Sequence, residues 1–137
     1  MQNIDWANLT FGYYPTNYNV RCYFRNGQWG ELEISSDTSI NIHMAATCLH
    51  YGQEAFEGLK AFRGKDGKVR VFRMDENCKR LQSSARGIMM AEFPMDKFKE
   101  AIEKVVHMDT QLWYVAILML PSRPMPRWKR VSMAAVR

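Results

Sequence analysis

The order of strand-like and helix-like periods along the chain predicts an α+β fold, an antiparallel sheet with two packed helices. Three observations carry this. Residues 55–63 and 69–74 alternate on either side of the charged, glycine-bearing run Arg63-Gly64-Lys65-Asp66-Gly67-Lys68, which is a hairpin pattern. Asn26-Gly27 closes an earlier alternating run and is a strong hairpin signal of its own. Two apolar stripes of helical period then follow with no strand between them, so no βαβ unit is indicated.

The elements follow in order. Residues 5–18 are rich in aromatics, Asn, Gly and Pro, have no period, and read as an irregular arm. From Asn19, Val20, Cys22 and Phe24 face one way while Arg21, Tyr23 and Arg25 face the other. Trp29, Leu32 and Ile34 mark a returning strand, ended by Ser35-Ser36-Asp37. The stretch from His50 to Phe62 reads as strand-like. A helix opens at Asp75, a good N-cap, and Glu76 suits its positive end. Leu81, Ala85 and Ile88 form its stripe, and Gly87 marks its end. A second helix is predicted over 96–108, with Phe98, Ile102 and Val105 as stripe and Glu100–Lys104 as a well-oriented pair.

A length of 137 residues favours one domain, and 47% hydrophobic with 24% charged residues reads as a globular protein. The formal net charge of +5 suggests nucleic acid until its placement is considered. From Leu112 onward stand five cations (Arg123, Arg127, Lys129, Arg130, Arg137) and no acid, leaving 14 basic against 14 acidic residues before them. The body is neutral, so no nucleic-acid surface is expected. Cys22, Cys48 and Cys78 are scattered and odd in number, which argues for a reduced, cytoplasmic protein. No signal peptide is visible at the N-terminus, and no apolar segment approaches the roughly 20 residues that span a bilayer.

Chemistry is sparsely signalled. His43, His50 and His107 have no ligand spacing with one another or with cysteine, so no metal is expected. No nucleophile elbow, phosphate loop or dinucleotide fingerprint occurs. Arg80 lies early on the first predicted helix. It reads either as a solvated helix-face residue or as an anion anchor, since a planar fork of donors suits phosphate. Tyr51 and Phe56 by themselves read as core aromatics.

The run His50-Tyr51-Gly52-Gln53-Glu54-Ala55-Phe56-Glu57-Gly58-Leu59-Lys60-Ala61-Phe62-Arg63-Gly64 resembles the signature of branched-chain amino acid aminotransferases, fold-type IV enzymes using pyridoxal phosphate. Val71-Phe72-Arg73, Asn77, Arg80-Leu81 and Ser84-Ala85 fit the same family, as does the aromatic-rich N-terminal stretch from Asn3 to Trp29. The resemblance covers residues 1–111 and implies the small N-terminal domain alone. By its motifs, Arg80 matches the arginine that holds the cofactor phosphate. Tyr51 and Phe56 match pocket aromatics, the tyrosine serving the neighbouring subunit of a homodimer. Gly58 matches the pocket glycine that leaves room for a branched side chain. The implied reaction is ping-pong amino transfer between Leu, Ile or Val and 2-oxoglutarate. The family supplies the lysine that carries the cofactor and moves the proton from its large domain. No lysine here matches that motif, so no catalytic residue is assigned, and the chain is expected to be inactive alone.

After Gln111 the resemblance stops. Residues 112–120 are continuously apolar, and three of the five prolines follow with no glycine. Read one base out of frame, Leu112 to Arg123 can spell Y-G-T-x-x-S-L-C-x-R-P, which is the family's next strand. Residues 112–137 are therefore expected to be a frameshifted basic tail with nothing to pack on. Two other readings stand beside the transaminase: a non-enzymatic fragment or dimerising module, and another fold-type IV enzyme such as a D-amino acid aminotransferase or a chorismate-derived lyase. The long arm and the Phe-Glu-Gly-Leu-Lys-Ala-Phe run favour the branched-chain group.

Overall fold

The computed structural model describes residues 16–108, 114–121 and 132–135. The arm over 5–18 lies almost wholly outside them. The strands are β1 (Asn19–Arg25), β2 (Gln28–Trp29), β3 (Glu33–Ser35), β4 (Ala55–Arg63), β5 (Val69–Val71), β6 (Tyr114–Leu120) and β7 (Ser132–Ala135). The helices are α1 (Thr47–Tyr51), α2 (Met74–Gly87) and α3 (Met95–Met108). The seven strands form one sheet in the order β2-β1-β7-β6-β4-β5, with β3 also on β1, and the pairs are antiparallel. This is the α+β class that the periods indicate.

Both hairpins close as their turn residues require. Asn26 and Gly27 both take positive φ, 54° and 86°, the twist that matches antiparallel strands. In the β4–β5 loop, Asp66 accepts from both ends of the Arg70 fork at 2.9 and 2.6 Å. A Cβ on Gly64 would stand 2.5 Å from Arg70 Nη1 and 2.6 Å from Asp66 Oδ1, so glycine is what lets this pair form over the turn.

The helices differ in detail from the reading of the sequence. A third helix, α1, occupies part of the stretch read as strand. Its five residues are too few to show a period. The expected N-cap, Asp75, is instead in the first turn of α2, which begins at Met74 after Arg73 turns the chain at φ 50°. Strand β5 accordingly stops at Val71, short of Met74. Helix α3 starts one residue before its expected position, and Glu100 and Lys104 pair at 3.2 Å.

The core lies between one face of the sheet and α2 and α3. Val20, Cys22, Leu59, Val115, Ile117 and Met119 from the strands meet Cys78, Leu81, Phe98 and Ile102 from the helices. Trp29 ties the far edge in: its ring meets Phe93 edge-on at 4.8 Å, and its Nε1 donates to the Glu92 carbonyl at 2.7 Å. The apolar run of 112–120 does find something to pack on, contrary to expectation: residues 114–120 form a sheet strand. Six consecutive residues of β6 pair with β4, from Ala55↔Met119 to Lys60↔Tyr114, and Val115, Ile117 and Met119 are buried.

All three cysteines are free. Burial is the main cause raising the Cys78 thiol to about 11, and it raises Cys22 as well. Cys48 is only half-buried, with its thiol donating to the Pro121 carbonyl at 3.1 Å. At pH 8, iodoacetamide is expected to label Cys48 first, and Cys22 and Cys78 only on unfolding, read by peptide mass spectrometry. Because the folded value of Cys78 is the higher one, its contribution to stability is complete below pH 9 and is lost as pH rises towards about 11. Cys78→Ala is expected to flatten that alkaline slope in urea denaturation.

Candidate functional site

Strand β4 divides the candidate residues by its two-residue period. Ala55, Glu57, Leu59 and Ala61 are buried on the helix-facing side. Phe56, Gly58, Lys60 and Phe62 take the other side. Phe56 lies opposite Leu118 and Gly58 opposite Ala116 on β6, so the four share one patch of sheet. Phe56 is 59% exposed and therefore not the core aromatic that its type suggests. Gly58 leaves a gap in the side-chain rows between Phe56 and Lys60.

Tyr51 ends α1 and is 83% exposed. It too is not the core aromatic that its type suggests. Gly52 follows at φ 59°, and the left-handed turn swings the chain from α1 into β4. The helix is held by Gln53, which accepts from Thr47 Oγ1 at 2.6 Å and donates to the Ile88 carbonyl at 2.8 Å. His50 Nε2 bonds the Met44 carbonyl at 2.7 Å. The tyrosine is thus set at the mouth of β4 on a fastened turn.

Arg80 is on the other side of the sheet from Phe56 and Gly58. It projects from α2 and forks onto Glu57, with Nε donating to Oε2 at 3.2 Å and Nη2 to Oε1 at 2.5 Å. Asn77, one turn earlier on α2, donates from Nδ2 to Glu57 Oε1 at 2.9 Å and to the Gly58 carbonyl at 3.2 Å. Glu57 is buried while the Arg80 side chain is 63% exposed, so the pair runs from the interior to the surface. The hydrogen bond from Arg80 to Glu57, then the Glu57 charge, raises the Arg80 pKa still further. Its guanidinium is a permanent cation.

The structure therefore brings Phe56 and Gly58 together, puts Tyr51 at the start of the same strand, and connects Arg80 to them through Glu57 and Asn77. Neither of those two residues stands out in the sequence as a site residue. The available signal is the alternation itself, since the inward row 55, 57, 59, 61 carries one carboxylate among Ala, Leu and Ala. A buried carboxylate needs donors, and Asn77 and Arg80 lie one turn apart on the helix above it.

An anion fits what remains of the guanidinium. The bonds to Glu57 engage Nε and Nη2, which leaves the Nη1 protons and the second Nη2 proton for a ligand. Their planar, parallel geometry suits two oxygens of a phosphate. Among the described residues, no three His, Cys, Asp or Glu side chains gather as metal ligands, and no helix is long and apolar enough to cross a membrane.

No family model matches the chain. Curated relatives do. The branched-chain-amino-acid aminotransferase of Haemophilus influenzae is 41% identical over 106 residues, which is 77% of this chain and 31% of that protein. The enzyme of the same name from Helicobacter pylori is 38% identical over 106 residues, with the same shares. The chain thus spans about a third of the length of the curated relatives it matches. Among solved structures, the branched-chain amino acid aminotransferase of Escherichia coli superposes with a TM-score of 0.66 at 20% identity, covering 87% of this chain and 39% of that one. The T.th. branched-chain amino acid aminotransferase, complexed with N-(5'-phosphopyridoxyl)-L-glutamate, gives 0.65 at 23% identity, covering 86% and 40%. These two likenesses are of fold.

Proposed function

We propose that this chain, related by descent to branched-chain aminotransferases over 77% of its length, provides the small domain of a pyridoxal-phosphate-dependent transaminase acting on Leu, Ile or Val and 2-oxoglutarate. The observation that carries the reading is the 41% identity over 106 residues to such an enzyme. The sheet geometry supports the wall of the pocket, with Arg80 across the sheet from it. Phe56 and Gly58 share one face of β4, with an apolar wall beside a position that has no side chain. Such a wall selects branched aliphatic groups by burial, at about 0.8 kcal/mol per CH₂. Tyr51 closes that wall, in a homodimer from the neighbouring subunit. The three spare N–H groups of Arg80 support its role as the anchor of the cofactor phosphate.

When bound, pyridoxal phosphate supplies the electron sink for amino transfer. The part of this chain's own residues is to bind and orient: Arg80 holds the phosphate, and Phe56, Gly58 and Tyr51 shape the space for the side chain and exclude water from it. No lysine of the chain matches the family's lysine motif, so amino transfer belongs to an assembly that also contains the lysine-bearing domain. The three scattered, free cysteines support a cytoplasmic setting for it. The division at residues 111 and 112 belongs to the same proposal. The run of five cations without an acid supports a shifted reading frame after Gln111. The placement of β6 adds that an apolar strand in that position is enough to complete the sheet.

The test has two arms. This chain with pyridoxal phosphate, leucine and 2-oxoglutarate is expected to form no glutamate. The gene with its frame restored by one base at codon 111 is expected to give leucine-dependent glutamate formation. Turnover by the chain alone overturns the assignment of the lysine to another domain. Absence of a lysine-bearing frame downstream overturns the division at 111. A frame-restored enzyme inactive on branched-chain amino acids overturns the substrate class.

A further inference from the structure

The cluster of Glu57, Asn77 and Arg80 goes beyond the roles assigned so far, although it rests on the reading of Arg80 as a phosphate anchor. Burying a carboxylate in a strand is costly unless donors meet it. Here every buried side-chain nitrogen and oxygen among the described residues has a partner, and Glu57 has Asn77 on one oxygen and the Arg80 fork on both. An arginine on an exposed helix face would otherwise sample many rotamers. Glu57 takes the Nε edge and so fixes the plane of the guanidinium. The Nη1–Nη2 end of the fork is left free of Glu57, with one N–H of each nitrogen parallel. Asn77 extends the same network to the backbone of the pocket glycine by donating to the Gly58 carbonyl at 3.2 Å.

We propose that Glu57 and Asn77 are positioning residues: they hold the Arg80 fork in one plane for the phosphate of the cofactor and link that anchor to the pocket backbone at Gly58. This role makes an unusual claim about sign. Glu57 is an anion beside an anion site, and by charge alone its removal should tighten phosphate binding. If its role is to position, removal weakens binding.

The experiment is NMR and binding on the full 137-residue chain. In the free wild type, the Arg80 Nε–Hε signal is expected to be resolved and slow to exchange with water, because Nε donates to Glu57. Adding pyridoxal 5'-phosphate at constant ionic strength is expected to shift it, along with the Gly58 amide, while pyridoxal without the phosphate leaves it in place. Glu57→Gln keeps the shape and removes the charge. It is expected to broaden the Arg80 signal and weaken pyridoxal 5'-phosphate binding about tenfold, as loss of an ordered fork on an anion should, with binding of pyridoxal unchanged. Arg80→Lys changes a side chain that is 63% exposed on α2. It keeps a cation and loses the fork, and is expected to lose a similar factor. Tighter binding by Glu57→Gln, an equally ordered Arg80 in that variant, or wild-type affinity in Arg80→Lys each overturns the positioning role. If Glu57→Gln fails to fold, as judged by circular dichroism, the Arg80→Lys arm decides. An Arg80 signal in the wild type that pyridoxal 5'-phosphate does not move overturns the anchor reading and the positioning claim with it. That failure is seen in the wild type, whereas failure of positioning alone is seen only in the variants.

Discussion

Ile117→Asp is expected to unfold this chain at room temperature. Ile117 is 1% exposed in the middle of β6 and lies directly opposite Glu57 on β4, on the helix-facing side. Three losses coincide there. Removing the branched side chain from the core costs about 2–5 kcal/mol, the range found for large-to-small changes. The new carboxylate has no donor set of its own, because Asn77 Nδ2 and the Nε–Nη2 edge of Arg80, the donors that meet β4 there, are engaged on Glu57. An unpaired buried charge costs several kcal/mol more. It would also face a like charge across the strand pair, which is destabilising in itself. Together these approach or exceed the roughly 5–15 kcal/mol that holds a typical domain together. Ile117→Val, by contrast, should cost about 0.5–1.5 kcal/mol and keep a cooperative transition. Urea denaturation followed by circular dichroism measures both. A native midpoint for Ile117→Asp would mean that β6 is not part of the core.

That experiment bears on the element that is least legible in the sequence. The hairpins can be read because their signals are local: Asn26-Gly27 demands positive φ, and the glycine-bearing loop after Arg63 sits between two alternating runs. Helix α3 can be read because Phe98, Ile102 and Val105 repeat on one face over successive turns. Strand β6 has neither advantage. A continuous apolar run has no period to assign it, and its partner β4 is more than fifty residues earlier, a pairing that no local pattern records. Helix α1 is missed for the opposite reason, being one turn and a half with no buried residue to mark a face.

The candidate site divides in the same way. That Phe56 and Gly58 share a side of β4 follows from a period of two. The link from Glu57 to Asn77 and Arg80 joins strand to helix across twenty and more residues of sequence, and it becomes visible only when the inward row of β4 is seen to carry a carboxylate. The resemblance points to Arg80 by position. The structure supplies what surrounds it, which is why the ion partner of a proposed phosphate anchor cannot be read from sequence.

Phe98→Ala is the second large expected effect, and it separates the two faces of the sheet. Phe98 is fully buried, on α3 beside Ala101 and Ile102, within the cluster that contains Val20 and Ile117. Truncating a buried phenylalanine costs about 3–5 kcal/mol, because the transfer energy of the ring is lost and the cavity closes only in part. Phe62 is 53% exposed on the opposite face of β4. Phe62→Ala should therefore change stability by about 0.5 kcal/mol or less, as surface substitutions do. The two variants remove the same atoms, so any difference between them is due to placement. If urea midpoints shift equally, helix α3 does not cover the sheet as the structure has it. If Phe98→Ala alone loses most of its stability, with the denaturant slope unchanged, the packing of α3 on the sheet is what holds the fold. Phe56, exposed on the other face, can then be altered for substrate selection without loosening the fold that holds it.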